Sequence, residues 1–191
     1  MRIVVGLPAH LRDAAAVLYW EAFGGKLGRV LGPHPRALSF ITQAIDPSHV
    51  ICAIEGDRLL GVAGFKTHRG AFVAGSLTQM AHHYGWSGAL CRGALLGLLA
   101  RDTENTCFVT DGLAVAATAR GRGIGTALID ALSAEARARD YPALRLDVVD
   151  TNPRALALYT RLGFTATKTT GIGPLHRVFG FRHTVTLTRP V

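Results

Sequence analysis

Arg120-Gly121-Arg122-Gly123-Ile124-Gly125-Thr126 is the stretch whose residue types and spacing come closest to chemistry. A strand-like run leads into it and a helical pattern leaves it, so three glycines stand at a strand-to-helix turn. Glycine accepts positive φ and lets backbone approach a ligand closely. The unpaired N–H groups of a first helical turn, aided by the helix dipole, face an anion. Arg120 and Arg122 add positive charge at the same place. The stretch reads as a phosphate cradle; the bland alternative is a tight turn with two solvated arginines. Two familiar nucleotide sites are excluded by spacing. Gly-x-x-x-x-Gly-Lys-Ser/Thr is absent, and Gly121-x-Gly123-x-Gly125 is not Gly-x-Gly-x-x-Gly followed by an acidic residue on a second strand.

The rest of the composition narrows the class. At 191 residues and 20.3 kDa, with 49% hydrophobic and 18% charged residues, the chain predicts one globular domain over 1–191. Twenty-one Lys+Arg against thirteen Asp+Glu give +8, which favours anionic partners. The arginines are scattered, without the basic stripe or tail of a nucleic-acid binder, so nucleic acid is not expected. Cys52, Cys91 and Cys107 fit no zinc or redox spacing and read as reduced, mostly buried thiols. His82–His83 is the one adjacent metal-capable pair, and sequence neighbours seldom share a ligand direction, so no metal is expected. No apolar run reaches the roughly 18–20 residues of a membrane span, and the N-terminus has no signal-peptide pattern. The expectation is a cytoplasmic protein.

The elements that must position the turn follow from periodicity. Arg2–Val5 reads as a strand and His10–Phe23 as a helix. Gly24, Gly25, Gly28 and Gly32, with Pro33 and Pro35, predict a loop over Gly24–Pro35. Arg36–Ile45 is a second helix. Val50–Glu55 and Leu59–Thr67 form a hairpin about Gly56-Asp57-Arg58. Ser76–Ala100 is helical, with Leu90, Ala94, Leu95, Leu98 and Leu99 on one side, and Asp102–Asn105 is a polar connector. Thr106–Val115 is a strand with a bulge at Asp111-Gly112. Ile124 to about Arg139 is a helix. Leu144, Leu146 and Val148 alternate on the next strand with Arg145 and Asp147, the latter facing solvent or a basic neighbour. Asn152-Pro153 caps a further helix that Gly163 ends. Phe164–Lys168 and Arg182–Thr188 close the fold. The order β-α-α-β-β-α-β-α-β-α-β-β predicts a three-layer α/β domain with the sheet in the middle.

These motifs carry a resemblance. Arg120-Gly121-Arg122-Gly123-Ile124-Gly125 is similar to the Gln/Arg-x-x-Gly-x-Gly/Ala motif of the GCN5-related N-acetyltransferases. Asp111-Gly112-Leu113-Ala114-Val115 looks like their bulged fourth strand. Asn152-Pro153-Arg154-Ala155-Leu156-Ala157-Leu158-Tyr159-Thr160-Arg161-Leu162-Gly163-Phe164 resembles their Asn-x-x-Ala-x-x-x-Tyr-x-x-x-Gly-Phe signature. The two motifs begin 32 residues apart, room for one helix and one strand. The specific likeness covers about residues 106–168. It implies a mixed, mostly antiparallel central sheet flanked by helices, and transfer of an acetyl group from acetyl-CoA to an amine of a small molecule or peptide.

The resemblance also implies roles. Leu113, Ala114 and Val115 would pair with the pantetheine arm of acetyl-CoA, and the amides of Arg120, Gly121, Arg122, Gly123, Ile124, Gly125 and Thr126 would hold its pyrophosphate. Asn152, Ala155 and Tyr159 would contact its other side. A backbone N–H near Val115 would polarise the thioester, in a gap between the fourth and fifth strands opened by the bulge. Tyr159 is placed to protonate the departing thiolate, or packs beside Leu158 and Leu162. Asp111 is the candidate to accept the amine proton; otherwise it stabilises the bulge or holds the amine by charge.

Two regions depart from the family pattern. About 38 residues, His68–Asn105, replace a short hairpin and include His82-His83-Tyr84-Gly85-Trp86. This insertion would cover the acceptor mouth, form a homodimer surface, or merely flank the core. The Gly24–Pro35 loop, with Lys26, Arg29 and His34, would border the acceptor as a lid. Thirteen acidic residues without a cluster argue against polycationic acceptors. The alternative function is a catalytically silent acyl-CoA-binding or sensor domain of the same fold; a basic nucleic-acid binder is a third reading.

Overall fold

The apolar run Val50–Glu55 (β2) turns at Gly56 and Asp57 and returns as Arg58–Thr67 (β3), the hairpin on which the sheet is built. The computed structural model describes residues 1–99 and 106–191. β1 (Arg2–Val5) joins β2, and β5 (Phe108–Val115) joins β3, both antiparallel. β6 (Ala143–Val149) lies parallel to β5, and β8 (His183–Pro190) and β7 (Thr165–Gly171) complete the order β1-β2-β3-β5-β6-β8-β7. A two-residue strand, β4 (Gly70–Ala71), pairs with β3. The sheet is mixed and mostly antiparallel.

Helices cover both faces. α1 (Arg12–Leu31) and α2 (His34–Ala44) bury Leu18, Phe40 and Ile41 with Phe72 on one face. α4 (Ile124–Ala138) buries Leu128, Ile129 and Leu132 against Phe65, Phe108 and Leu144 on the other. α5 (Pro153–Arg161) begins where the Asn152 side chain accepts from Ala155 N–H at 3.2 Å. Leu144, Leu146 and Val148 of β6 are buried while Arg145 and Asp147 face the opposite side, as their alternation requires.

The relation of β5 to β6 matters most for function. They pair only at Phe108–Leu144 and Val109–Arg145, and then diverge. On the other edge of β5, Gly64 pairs with Gly112 and Phe65 with Thr110, which leaves Asp111 as the extra residue of a bulge. Gly112 takes φ +118°, and an added Cβ there would stand 2.7 Å from Phe23 Cζ.

Several expectations are corrected. The Gly24–Pro35 loop is not a loop: α1 runs on to Leu31, so no lid exists there. Burial of Val30 and Leu31, each 2% exposed, outweighs the roughly 1 kcal/mol each helical glycine costs. Lys26 thus sits on a helix, and the Arg29 guanidinium donates to the Arg177 carbonyl. The insertion helix, α3 (Leu77–Leu99), is broken at Gly85 (φ +70°, ψ 163°). Its inward face is Met80, Ala89 and Leu96, whereas Leu90 and Ala94 are exposed. The expected polar connector Asp102–Asn105, and the side chains of Leu98 and Leu99, lie outside the described residues. Between the closing strands, sequence periodicity misses a short helix, α6 (His176–Phe179).

Candidate active site

Two hollows are lined by β5. The first is a groove of about 390 Å³ lined by Leu113 and Val115 of β5, by Arg120, Gly121, Gly123, Ile124, Gly125 and Thr126 of the turn, and by Arg154, Leu158 and Arg161 of α5. Gly121 and Gly123 take φ +77° and +75°, and a Cβ added to either would meet nothing within 4 Å. Gly123 is the N-cap of α4, and no side chain caps the helix. Its first N–H groups therefore face the groove without a capping partner. The turn fits a phosphate group.

The two arginines expected at this groove from sequence are both engaged within the fold, and two further cations line it. Arg122 is ion-paired with Glu55 at 2.7 Å, and that hydrogen bond and charge hold the Glu55 carboxyl below its usual range. Arg120 Nε donates to the Val115 carbonyl at 3.2 Å, which ties the turn to the end of β5. The cations on the groove's far wall are Arg154 and Arg161. With Leu158 they recur at spacings of four and three, the groove-facing stripe of α5. That spacing is visible in the sequence and was the signal for them.

The second hollow, about 290 Å³, occupies the divergence of β5 and β6. Thr110, Asp111 and Gly112 form one wall, Asp147 and Val149 another, and Tyr19, Phe23 and Lys26 of α1 a third, with Phe179 and Phe181 at the end. Asp111 Oδ1 lies 3.4 Å from Lys66 Nζ, and Oδ2 accepts from Val73 N–H at 3.3 Å. Asp147 finds the basic neighbour expected of it, Arg145 at 3.2 Å, and accepts from Thr186. Burial pushes the Lys26 ammonium below its usual range. It pushes the Tyr19 phenol up, with the Asp111 charge adding to the effect. Thr110 Oγ1 is buried without a hydrogen-bond partner. A polar ligand group would satisfy it.

Tyr159 lines neither hollow. It is 7% exposed, with its ring edge-on to Phe164 at 5.7 Å, and burial pushes its phenol up to about 12. Its ring is packed in the core on the α4 side. Ala114 points into the core on the α1 side, Asn152 is used in capping α5, and Ala155 packs against the α4 core. Among the described residues no group of three His, Cys, Asp or Glu could hold a metal ion, and no helix is long and apolar enough to cross a membrane.

A bulged strand parting from its parallel neighbour beside a glycine turn is an acyl-CoA N-acyltransferase architecture. Residues 13–164 match the acetyltransferase (GNAT) family, and the chain belongs to it. Solved structures agree. An N-acetyltransferase from Staphylococcus aureus Mu50 superposes with TM-score 0.72 at 16% identity, covering 99% of this chain and 100% of that one. A ribosomal-protein-alanine N-acetyltransferase from Brucella melitensis gives 0.65 at 17%, with both chains fully covered. A GCN5-related N-acetyltransferase from Kribbella flavida gives 0.63 at 20%, covering 100% and 97%. At these identities the likeness is one of fold. Among proteins of curated function none matches the sequence.

Proposed function

We propose that the chain is an acetyl-CoA-dependent N-acetyltransferase that acts on the amine of a small molecule or peptide by direct attack. One observation carries this reading: a single strand lines both hollows, Thr110–Gly112 the divergence and Leu113 and Val115 the groove. A phosphate held at the turn and a thioester laid along β5 would then end where an amine enters from the other side.

The chain's own residues divide the work. The amides of residues 120–126 hold the pyrophosphate, with Arg154 and Arg161 opposite. The β6-facing edge of β5, free of a strand partner beyond Val109, pairs with the pantetheine arm. A backbone N–H near Val115 polarises the thioester carbonyl. The amine lone pair attacks the carbonyl carbon; a C–N bond forms, the C–S bond breaks, and the sulfur takes the Tyr159 phenol proton. The nitrogen gives up its own proton towards Asp111 or solvent. Tyr159 lines neither hollow, so this role rests on the family resemblance and on a phenol that, pushed up to about 12 by burial, stays protonated at neutral pH. Asp111 fits better as the charge that holds the incoming ammonium, since its carboxylate already has Lys66 as a partner.

The second reading, a silent acyl-CoA binder, is favoured by that same ion pair. A thiol-release assay with acetyl-CoA over a panel of amines separates the two. Amine-dependent thiol release is expected; CoA binding with no release under any amine would favour the silent domain.

A further inference from the structure

Tyr19 and Leu27 each line two hollows, the divergence of β5 and β6 and a separate chamber of about 360 Å³ between α1, α2 and α3. The chamber is apolar. Leu31, Phe40, Ile41, Met80 and Leu96 are among its walls; among the described residues that line it none is charged, and the Tyr19 hydroxyl is the one side-chain oxygen. Cavities half this size hold a benzene ring, and ligand pockets run from roughly 300 Å³ upward.

The chamber is held open by construction. Gly93 and Gly97 of α3 face it; a Cβ at Gly93 would meet only Leu77 Cδ1 at 3.5 Å, and one at Gly97 nothing within 4 Å. The helix that roofs it is fixed in place. Ser76 and Gln79 cap its start reciprocally, at 2.8 and 3.1 Å. The Tyr84 hydroxyl donates to the Leu31 carbonyl at 2.5 Å, and the Arg92 guanidinium lies over the Tyr84 ring at 4.3 Å. A fixed roof lacking two side chains leaves a void that an apolar group would fill.

The polar hollow says what such a group is attached to. Asp111 and Asp147 are carboxylates lining it that could receive an ammonium, while Lys26 and Lys66 on the same walls would repel a second positive charge. We infer that the acceptor is a primary monoamine with an apolar body, alkyl or aromatic, whose amino group sits beside Asp111 and whose body passes Tyr19 and Leu27 into the chamber under α3. This rests on the acetyltransferase reading above. It makes the insertion helix the determinant of acceptor specificity.

The test is a chain-length series, ethylamine to hexylamine, assayed with acetyl-CoA, with spermidine as the polycation. Simple alkylamines have nearly the same basicity, so length is the variable. Burying each methylene should raise kcat/KM about fourfold until the chamber is full. Spermidine should fall below hexylamine. Gly93→Leu should flatten the series by filling the chamber; should that variant not fold, Gly97→Leu makes the same test from the next turn. Calorimetric titration of the same amines into the CoA complex reads the same slope should turnover be too slow. A flat series in the unaltered protein, or a slope that survives both leucines, overturns the inference. Failure of CoA to raise the melting temperature would instead overturn the acetyltransferase reading beneath it.

Discussion

Lys66 Nζ stands 3.4 Å from Asp111 Oδ1, on the strand that pairs with the bulge, so the carboxylate at the mouth of the divergence is already neutralised in part. A base in such a pair is weakened, whereas a charge that receives an ammonium remains useful. Asp111→Asn is therefore expected to raise KM for the amine about tenfold, the scale of losing one hydrogen bond to a charged group. kcat should change by less. A steady-state comparison over pH checks this: a large fall in kcat with loss of the acidic limb would make Asp111 the base instead.

Arg154 and Arg161 face the groove, while Arg122 is engaged by Glu55 and Arg120 by a carbonyl. Arg154→Ala and Arg161→Ala should each weaken CoA binding about fivefold at low salt and by less at 0.5 M salt, because screened ion pairs lose strength. Arg122→Ala should weaken it less. Titrations of CoA at two ionic strengths read both effects, and equal losses at both would assign these arginines a structural role.

Tyr159→Phe keeps the ring beside Phe164 and removes the hydroxyl oxygen. kcat should fall about 10²-fold with little change in KM for acetyl-CoA. The same variant reports on pH and stability. Below pH 10 the phenol is protonated in both folded and unfolded chains. Between pH 10 and 12 the unfolded chain loses that proton while the folded one, pushed up to about 12 by burial, keeps it, so stability falls as pH rises through this window. Denaturant midpoints at pH 9 and 11 should show about 1.4 kcal/mol less loss in Tyr159→Phe than in the unaltered protein.

Gly112 joins the bulge to α1. Alanine there combines a φ of +118° with an approach of 2.7 Å to Phe23, whose ring packs on Tyr19 at 4.7 Å. Gly112→Ala should cost about 2 kcal/mol, or roughly 4–8 °C in Tm, by thermal melting. An unchanged Tm would mean that the bulge relaxes freely.

The sequence was most legible where structure is local. The hairpin about Gly56, the Asn152 cap and the glycine turn each declare themselves within a few residues. Gly24, Gly25 and Gly28 misled because their propensity is local, and what overrides it, the burial of Val30 and Leu31, is not. The second hollow could not be read in advance, since Lys26, Asp111, Asp147 and Phe179 come from four separated elements that only the fold brings together. Arg154 and Arg161 could have been, from their spacing on α5. The turn's own arginines looked free in sequence because Glu55, their competitor for Arg122, lies 67 residues away.

CoA titration of Gly123→Asp beside Gly123→Asn tests most directly whether the glycine turn is the cofactor's phosphate site. Both replacements are residues that tolerate the left-handed backbone at φ +75°, and neither meets another atom at Cβ. They differ in charge. The unaltered protein should bind CoA with heat release and a raised Tm. Asparagine should keep most of that binding, and aspartate should abolish it by setting a carboxylate where the phosphate belongs. Equal CoA affinity in the aspartate and asparagine variants would contradict the assignment.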